Sequence, residues 1–235
     1  MKRCKTHLVR VCLIVLASVP AYCQRGTFGI DIGQTSDKFD ALSSVNGLEV
    51  GIDGQLTVLK SNAKQGRPSV VAGGEIRLAS DTRNHAREYA VFGGPRFQAR
   101  NLSIGFNVQV RKIVLPTANV NNQFFARDTM ELLELPLVLR YNFASNKRAW
   151  VEVQGAPEFS PRFHRPRSTQ VILPNPRLDH GYVVRGSLGY TFGKRWYAKA
   201  TYESRYFKFL PEPANPINLY NWKSNLISGG VGFSF

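Results

Sequence analysis

At 235 residues, with 31 Lys and Arg against 16 Asp and Glu, the chain has the length of a single domain and a formal charge of +15. Its three cysteines, Cys4, Cys12 and Cys23, all fall in the first 23 residues, so the remainder can hold no disulfide, thiol nucleophile or thiolate metal site. No later run approaches the ~18 apolar residues of a membrane helix, which excludes helical spans but not strands that hide an apolar face by alternation.

The N-terminus reads as a leader. Lys2, Arg3, Lys5 and Arg10 precede an apolar run from Val11 to Ala17, and Ala21 and Cys23 put small residues where a signal peptidase cuts. The expectation is a signal peptide over 1–23 and one domain over 24–235. Cys23 leaves a lipoprotein reading, against which stands the bulky Tyr22 just before it. Cleavage removes four basic residues, so the charge falls from +15 to +11. That charge is not clustered like a nucleic-acid-binding arm, and no nucleic-acid partner is expected.

From Gly26 onward the period is two, the signature of strands. Phe28, Ile30 and Ile32 alternate with Thr27 and Asp31. Leu48, Val50, Ile52, Leu56 and Val58 oppose Glu49, Asp53, Gln55 and Thr57. Ile76 and Leu78 oppose Glu75 and Arg77, and Tyr89, Val91 and Phe97 oppose Arg96. The fifth candidate sets Leu102, Ile104, Phe106, Val108 and Val110 against Asn107, Gln109 and Arg111. The sixth sets Leu133, Leu135, Leu137, Leu139 and Tyr141 against Glu134, Pro136 and Arg140. Val151, Val153 and Phe159 then oppose Glu152, Gln154 and Glu158. Pro136 and Pro157 lack a ladder donor, so each is expected at a bulge or strand end. Tyr182, Val184, Leu188 and Tyr190 oppose Arg185, and Trp196, Ala198, Ala200, Tyr202 and Tyr206 oppose Lys199, Glu203 and Arg205.

Connections over 99–101, 144–147 and 193–194 are tight, whereas 116–130, 162–179 and 211–221 are long. Ten strands place both termini at one rim; eight remain an alternative if the first candidate and a neighbour are not strands. His85, His164 and His180 fall in expected loops without metal-pair spacing. Arg162, Arg165, Arg167 and Arg177 lie in one Pro-rich loop, where guanidinium forks could grip lipopolysaccharide phosphates or an acidic partner; a merely solvated loop is the simpler reading.

The last strand alternates Ile227, Val231, Phe233 and Phe235 with Ser228, Gly230, Gly232 and Ser234. An alternating terminal strand that ends in Phe resembles the C-terminal signature of bacterial outer-membrane β-barrel proteins, the porin-like and OmpA-like group. The resemblance implies a closed antiparallel up-and-down transmembrane barrel, exported to a bacterial outer membrane. Val231, Phe233 and Phe235 would be read by the barrel-assembly machinery, and tight turns would face the periplasm. The surroundings would be outer-membrane lipid and lipopolysaccharide.

On that reading the polar faces line a lumen holding Glu49, Asp53, Glu75, Glu134, Glu152, Glu158 and Glu203 with Arg77, Arg96, Arg111, Arg140, Arg185, Lys199 and Arg205. The signs nearly balance, as in an interior plugged by ion pairs. Tyr89, Tyr141, Phe143, Trp150, Tyr182, Tyr190, Phe192, Trp196, Tyr206 and Phe207 lie near strand ends, where interfacial girdles form. Omptin-type proteases would need acidic and His residues paired at the outer rim, and lipid A deacylases a His–Ser pair facing lipid; His164 and Ser168 are near in sequence but in a loop. The expectation is therefore a non-enzymatic barrel without cofactors, in an envelope structural or surface-interaction role. A narrow porin-like channel is the alternative; an outer-membrane enzyme or a soluble secreted β-barrel binder rank below it.

Overall fold

The alternating segments form ten antiparallel strands in the computed structural model, which describes residues 25–39, 44–61, 67–80, 86–114, 119–120, 123–124, 129–143, 148–164, 178–210 and 221–235. They are β1 (Gly26–Phe39), β2 (Val45–Leu59), β3 (Ser69–Ala79), β4 (Ala86–Ala99), β5 in two segments (Leu102–Phe106 and Val108–Val114) and β6 in two segments (Thr129–Glu134 and Leu137–Phe143). Then come β7 (Ala149–His164), β8 (Leu178–Phe192), β9 (Trp196–Phe209) and β10 (Asn221–Ser234). Asn119–Val120 and Gln123–Phe124 pair separately, between β5 and β6.

Each strand pairs with its sequence neighbours, and β1 pairs with β10 from Thr27↔Ser234 to Phe39↔Trp222. The sheet therefore closes, which removes its edges. At the seam the Gly26 and Phe235 N–H groups each donate to the other's carbonyl oxygen at 3.0 Å. The ends of β1, β3, β5, β7 and β9 share one rim; the ends of β2, β4, β6 and β8 share the other with Arg25 and Phe235. Two tight turns on this terminal rim use left-handed backbone, at Arg100 (φ 52°) and Gly193 (φ 65°). Such turns match the twist of the strands they join, and only glycine enters them without steric cost.

Several irregularities interrupt the ladder, and the bulge in β4 changes which side chains face inward. β5 breaks at Asn107 opposite the break of β6 at Leu135 and Pro136, and the Asn107 N–H donates to the Pro136 carbonyl at 2.9 Å. Pro136 has no N–H for the ladder, so the interruption falls where its sequence predicts. Pro157 instead stays inside β7, paired with Tyr182, where the pairing with β6 is interrupted after Gly155↔Leu137 and resumes in the same register at Glu158↔Glu134. In β4 the register moves between Arg77↔Glu88 and Leu78↔Ala86, leaving Arg87 as the extra residue of a bulge. Arg87 and Glu88 both turn inward as a result.

Alternation otherwise holds except at register shifts near the strand ends, between Thr57 and Leu59, Phe159 and Arg162, and Leu178 and His180. Leu135, Leu137 and Leu139 face outward, as the period-two register requires. Small residues inside make room for large ones: a side chain on Gly189 would collide with the Trp150 indole, and one on Gly232 with the Tyr197 ring. Gly189→Val is accordingly expected to destabilise the barrel by about 1–3 kcal/mol, the usual cost of overpacking. Denaturant unfolding of the lipid-reconstituted protein, followed by tryptophan fluorescence, measures this; unchanged stability would mean that Trp150 yields its place freely.

Candidate functional site

The interior is built in three tiers, starting at the loop-bearing rim. There Phe207 stacks on Trp222 (centroids 5.1 Å, 14° between planes), and both pack with Ile113, Met130, Leu132 and Phe209 into an apolar cluster across the lumen. The Trp222 Nε1–H donates to Asp37 Oδ1 at 3.0 Å, and Arg87 Nη2 reaches Asp37 at 2.8 Å and Ser224 at 3.1 Å.

Below it lies a continuous ion-pair tier. Arg77 binds Glu75 and reaches Glu49 at 2.9 Å and Glu203 at 3.6 Å. Arg185 reaches Glu75 at 3.0 Å and donates from Nε to Glu203 at 2.5 Å. Arg205 binds Glu203 and reaches Glu88 at 2.7 Å, while Arg111 binds Glu88 and reaches Glu134 at 2.8 Å. Gln109 donates to Glu134 at 2.5 Å, and Glu158 lies opposite Glu134 across β6 and β7. Guanidinium forks suit this crowding because each satisfies several carboxylates at once.

The third tier, toward the terminal rim, is looser. Lys199 binds Asp53 and lies 3.8 Å from Asp31, and the Arg140 guanidinium sits 4.1 Å from the Trp150 ring centre, 3.7 Å from Glu152. A cavity of about 170 Å³ opens among these residues, Gln55, Gln154 and Tyr197.

All fourteen charges expected in the lumen thus line it, but Arg96 plays another part. Its guanidinium donates to the Pro95 and Phe106 carbonyls at 3.0 and 3.1 Å and to Asn107 Oδ1 at 2.7 Å, satisfying acceptors freed by the break in β5. Asp31, Asp37, Arg87 and Glu88 belong to the lumen as well. Two aromatics expected in the girdle are interior: Trp150 is buried beneath Arg140, and Phe207 is fully buried. Tyr89, Tyr141, Phe143, Tyr182, Tyr190, Phe192 and Trp196 do face outward.

His180 sits in β8 rather than a loop, with Nδ1 3.1 Å from Asp179, whose carboxylate also lies 3.5 Å from Lys208. His164 ends β7, and His85 and Ser168 lie outside the described residues. Among the described residues no group of three or more His, Cys, Asp and Glu could hold a metal. Arg162 is exposed within β7 rather than in a loop, opposite Glu131; Arg165, Arg167 and Arg177 lie outside the described residues. Residues 1–23 do too.

The outer surface decides the surroundings. Val91, Ile227 and Leu48 are 68%, 67% and 60% exposed, whereas Arg77, Glu134 and Glu203 are 3%, 1% and 2% exposed. In water this would leave a broad apolar wall wet while charges are buried; with hydrocarbon outside, both placements become favourable. The chain forms a membrane-spanning β-barrel. Its strands, 14 residues long in β1 and β10, exceed the ~9–11 that a tilted membrane strand needs. A soluble binder would need the opposite arrangement of faces.

No family model and no curated protein matches the chain. Solved structures of similar fold include neisserial surface protein A, 11% identical, with a TM-score of 0.42, covering 89% of this chain and 97% of that one. The outer membrane protease OmpT from Escherichia coli is 10% identical, with a TM-score of 0.44, over 90% of this chain and 96% of its own. The NanC porin is 12% identical, also at 0.44, over 88% and 98%. These likenesses concern architecture alone.

Proposed function

We propose that this chain is a non-enzymatic outer-membrane β-barrel with a plugged lumen, serving envelope integrity or contact at the cell surface. The observation that carries this reading is the stacking of a tier that holds the apolar cluster and the Arg87–Asp37 pair on a continuous ion-pair tier, so that a permeating ion meets first packed side chains and then guanidiniums already bound to carboxylates. The apolar face, the leader over 1–23 and the terminal Phe support export to the outer membrane, with the barrel-assembly machinery and lipopolysaccharide as partners.

Planar bilayers test the plug. Pure wild-type protein should give no large, steady single-channel steps. Arg185→Ala, which opens the ion-pair tier, should produce small leaks, and Arg140→Ala, already beside the open cavity, should not. A large ohmic conductance from the wild type would establish instead a narrow porin-like channel, the second reading, which the cavity at the terminal rim favours.

A further inference from the structure

The rim bearing the chain ends has a charge pattern that the plugged lumen does not use. Its turns lie in long stretches without a single Asp or Glu: 54–74, 89–127, 135–151 and 180–202. Exposed Arg25, Lys60, Arg100, Arg148, Lys194 and Arg195 stand there. At the opposite rim some exposed cations have acidic neighbours, Lys112–Glu131 at 3.3 Å and Lys208–Asp179 at 3.5 Å, while Lys38 and Lys223 face each other across β1 and β10. Apart from the terminal carboxylate of Phe235, one oxygen of which is held by the Gly26 N–H, the charged groups of that rim are cations, while the other rim is a mixed surface.

The cationic rim has a shaped seat. At the closing seam, Arg25, Lys194 and Arg195 stand over a hollow of about 470 Å³ at the edge of the barrel mouth, whose floor is formed by the lumen-facing Thr27, Gln55, Thr57 and Ser234. The Phe235 oxygen there already accepts the Gly26 N–H at 3.0 Å. The outer wall is aromatic: Phe235 and Trp196 face outward, Trp196 packs edge-on to Phe233 at 5.2 Å, and the Arg195 guanidinium lies 5.7 Å from the Phe233 ring centre. Aromatic rings at a barrel rim sit at headgroup depth, so these cations are held beside lipid phosphates.

We propose that this rim is a binding collar for anionic phospholipids of the leaflet it faces, with the phosphodiester seated between Arg25, Lys194 and Arg195 and the acyl chains against Phe235 and Trp196. Guanidinium and ammonium groups supply charge-assisted bonds to phosphate, and the floor hydroxyls and amides supply donors for a polyol headgroup. The proposal rests on the membrane-spanning fold but not on whether the lumen conducts.

The test uses the whole folded barrel in phosphatidylcholine vesicles carrying a trace of spin-labelled phosphatidylglycerol or spin-labelled phosphatidylcholine, and reads the fraction of each label immobilised by the protein. Wild type should immobilise phosphatidylglycerol several-fold more strongly. Raised salt should shrink that preference, and the triple variant Arg25→Gln, Lys194→Gln, Arg195→Gln should abolish it, by roughly fivefold per cation at most. The triple variant Lys38→Gln, Lys208→Gln, Lys223→Gln at the other rim should retain it. Equal immobilisation of the two labels by wild type, or an undiminished preference in the seam variant, would overturn the proposal. Displacement of the lipid by millimolar inorganic phosphate would overturn it in favour of a soluble-anion site, and loss in the other-rim variant would overturn it in favour of a surface facing lipopolysaccharide. Gel mobility before heating reports insertion separately, so a wild type that never inserts would count against the membrane reading itself. If the seam variant alone fails to insert, the salt response of the wild type decides.

Discussion

Glu203→Ala should cost the barrel about 3–5 kcal/mol, the penalty for leaving buried charge without its partner. Glu203 is 2% exposed and is shared by Arg77, Arg185 and Arg205, so its loss leaves three guanidiniums to Glu75, Glu49 and Glu88. Glu203→Gln keeps the shape but not the charge, and should recover only a minor part of the loss. Glu152→Ala is the contrasting case, because Glu152 meets Arg140 at 3.7 Å where Arg140 is 39% exposed; about 1 kcal/mol or less is expected there. Urea unfolding from vesicles measures all three. A loss under 1 kcal/mol for Glu203→Ala would mean that water reaches the central tier and replaces the carboxylate, which would also undermine the plug.

Period two made most of this legible in the sequence, because one residue on a known face sets the facing of the whole strand. Leu135, Leu137 and Leu139 follow from Glu134 and Arg140 in this way. Phe207 shares parity with Glu203 and Arg205, and Trp150 with Glu152 and Gln154, so their burial was also readable; nearness to a strand end suggested the girdle and pointed the wrong way. Trp222 has the parity of Ser228 and escapes notice only if β10 is begun at Asn225, four residues late. Arg87 could not be read by counting, because the bulge that turns it inward arises from the pairing of β3 with β4. Asp37 lies in Thr-Ser-Asp-Lys, a polar stretch with no apolar face to mark it as strand, and it enters the lumen because β1 pairs with β10 as far as Phe39. The breaks at Asn107 and Pro136 were half visible: the proline announces one, but the Arg96 guanidinium that satisfies the freed carbonyls is recognisable only in three dimensions.

Phe235→Asp should leave the folded barrel nearly as stable as the wild type and yet sharply lower its assembly in cells. The ring is 48% exposed on the outer face at the rim, and the backbone bonds that join Phe235 to Gly26 do not involve the side chain. A carboxylate at interfacial depth costs about 1 kcal/mol or less, far below the cost at mid-bilayer. Recognition of the alternating terminal strand during biogenesis, however, would lose its end residue. The two contributions separate when spontaneous insertion of urea-unfolded protein into vesicles is measured beside the outer-membrane level in cells. Insertion should stay close to wild type while the cellular level falls several-fold and periplasmic degradation rises; Phe235→Leu, apolar but not aromatic, should fall between. Equal losses in vesicles and in cells would assign the Phe to seam stability, and unchanged cellular assembly of Phe235→Asp would remove the main sequence argument for handling by the barrel-assembly machinery.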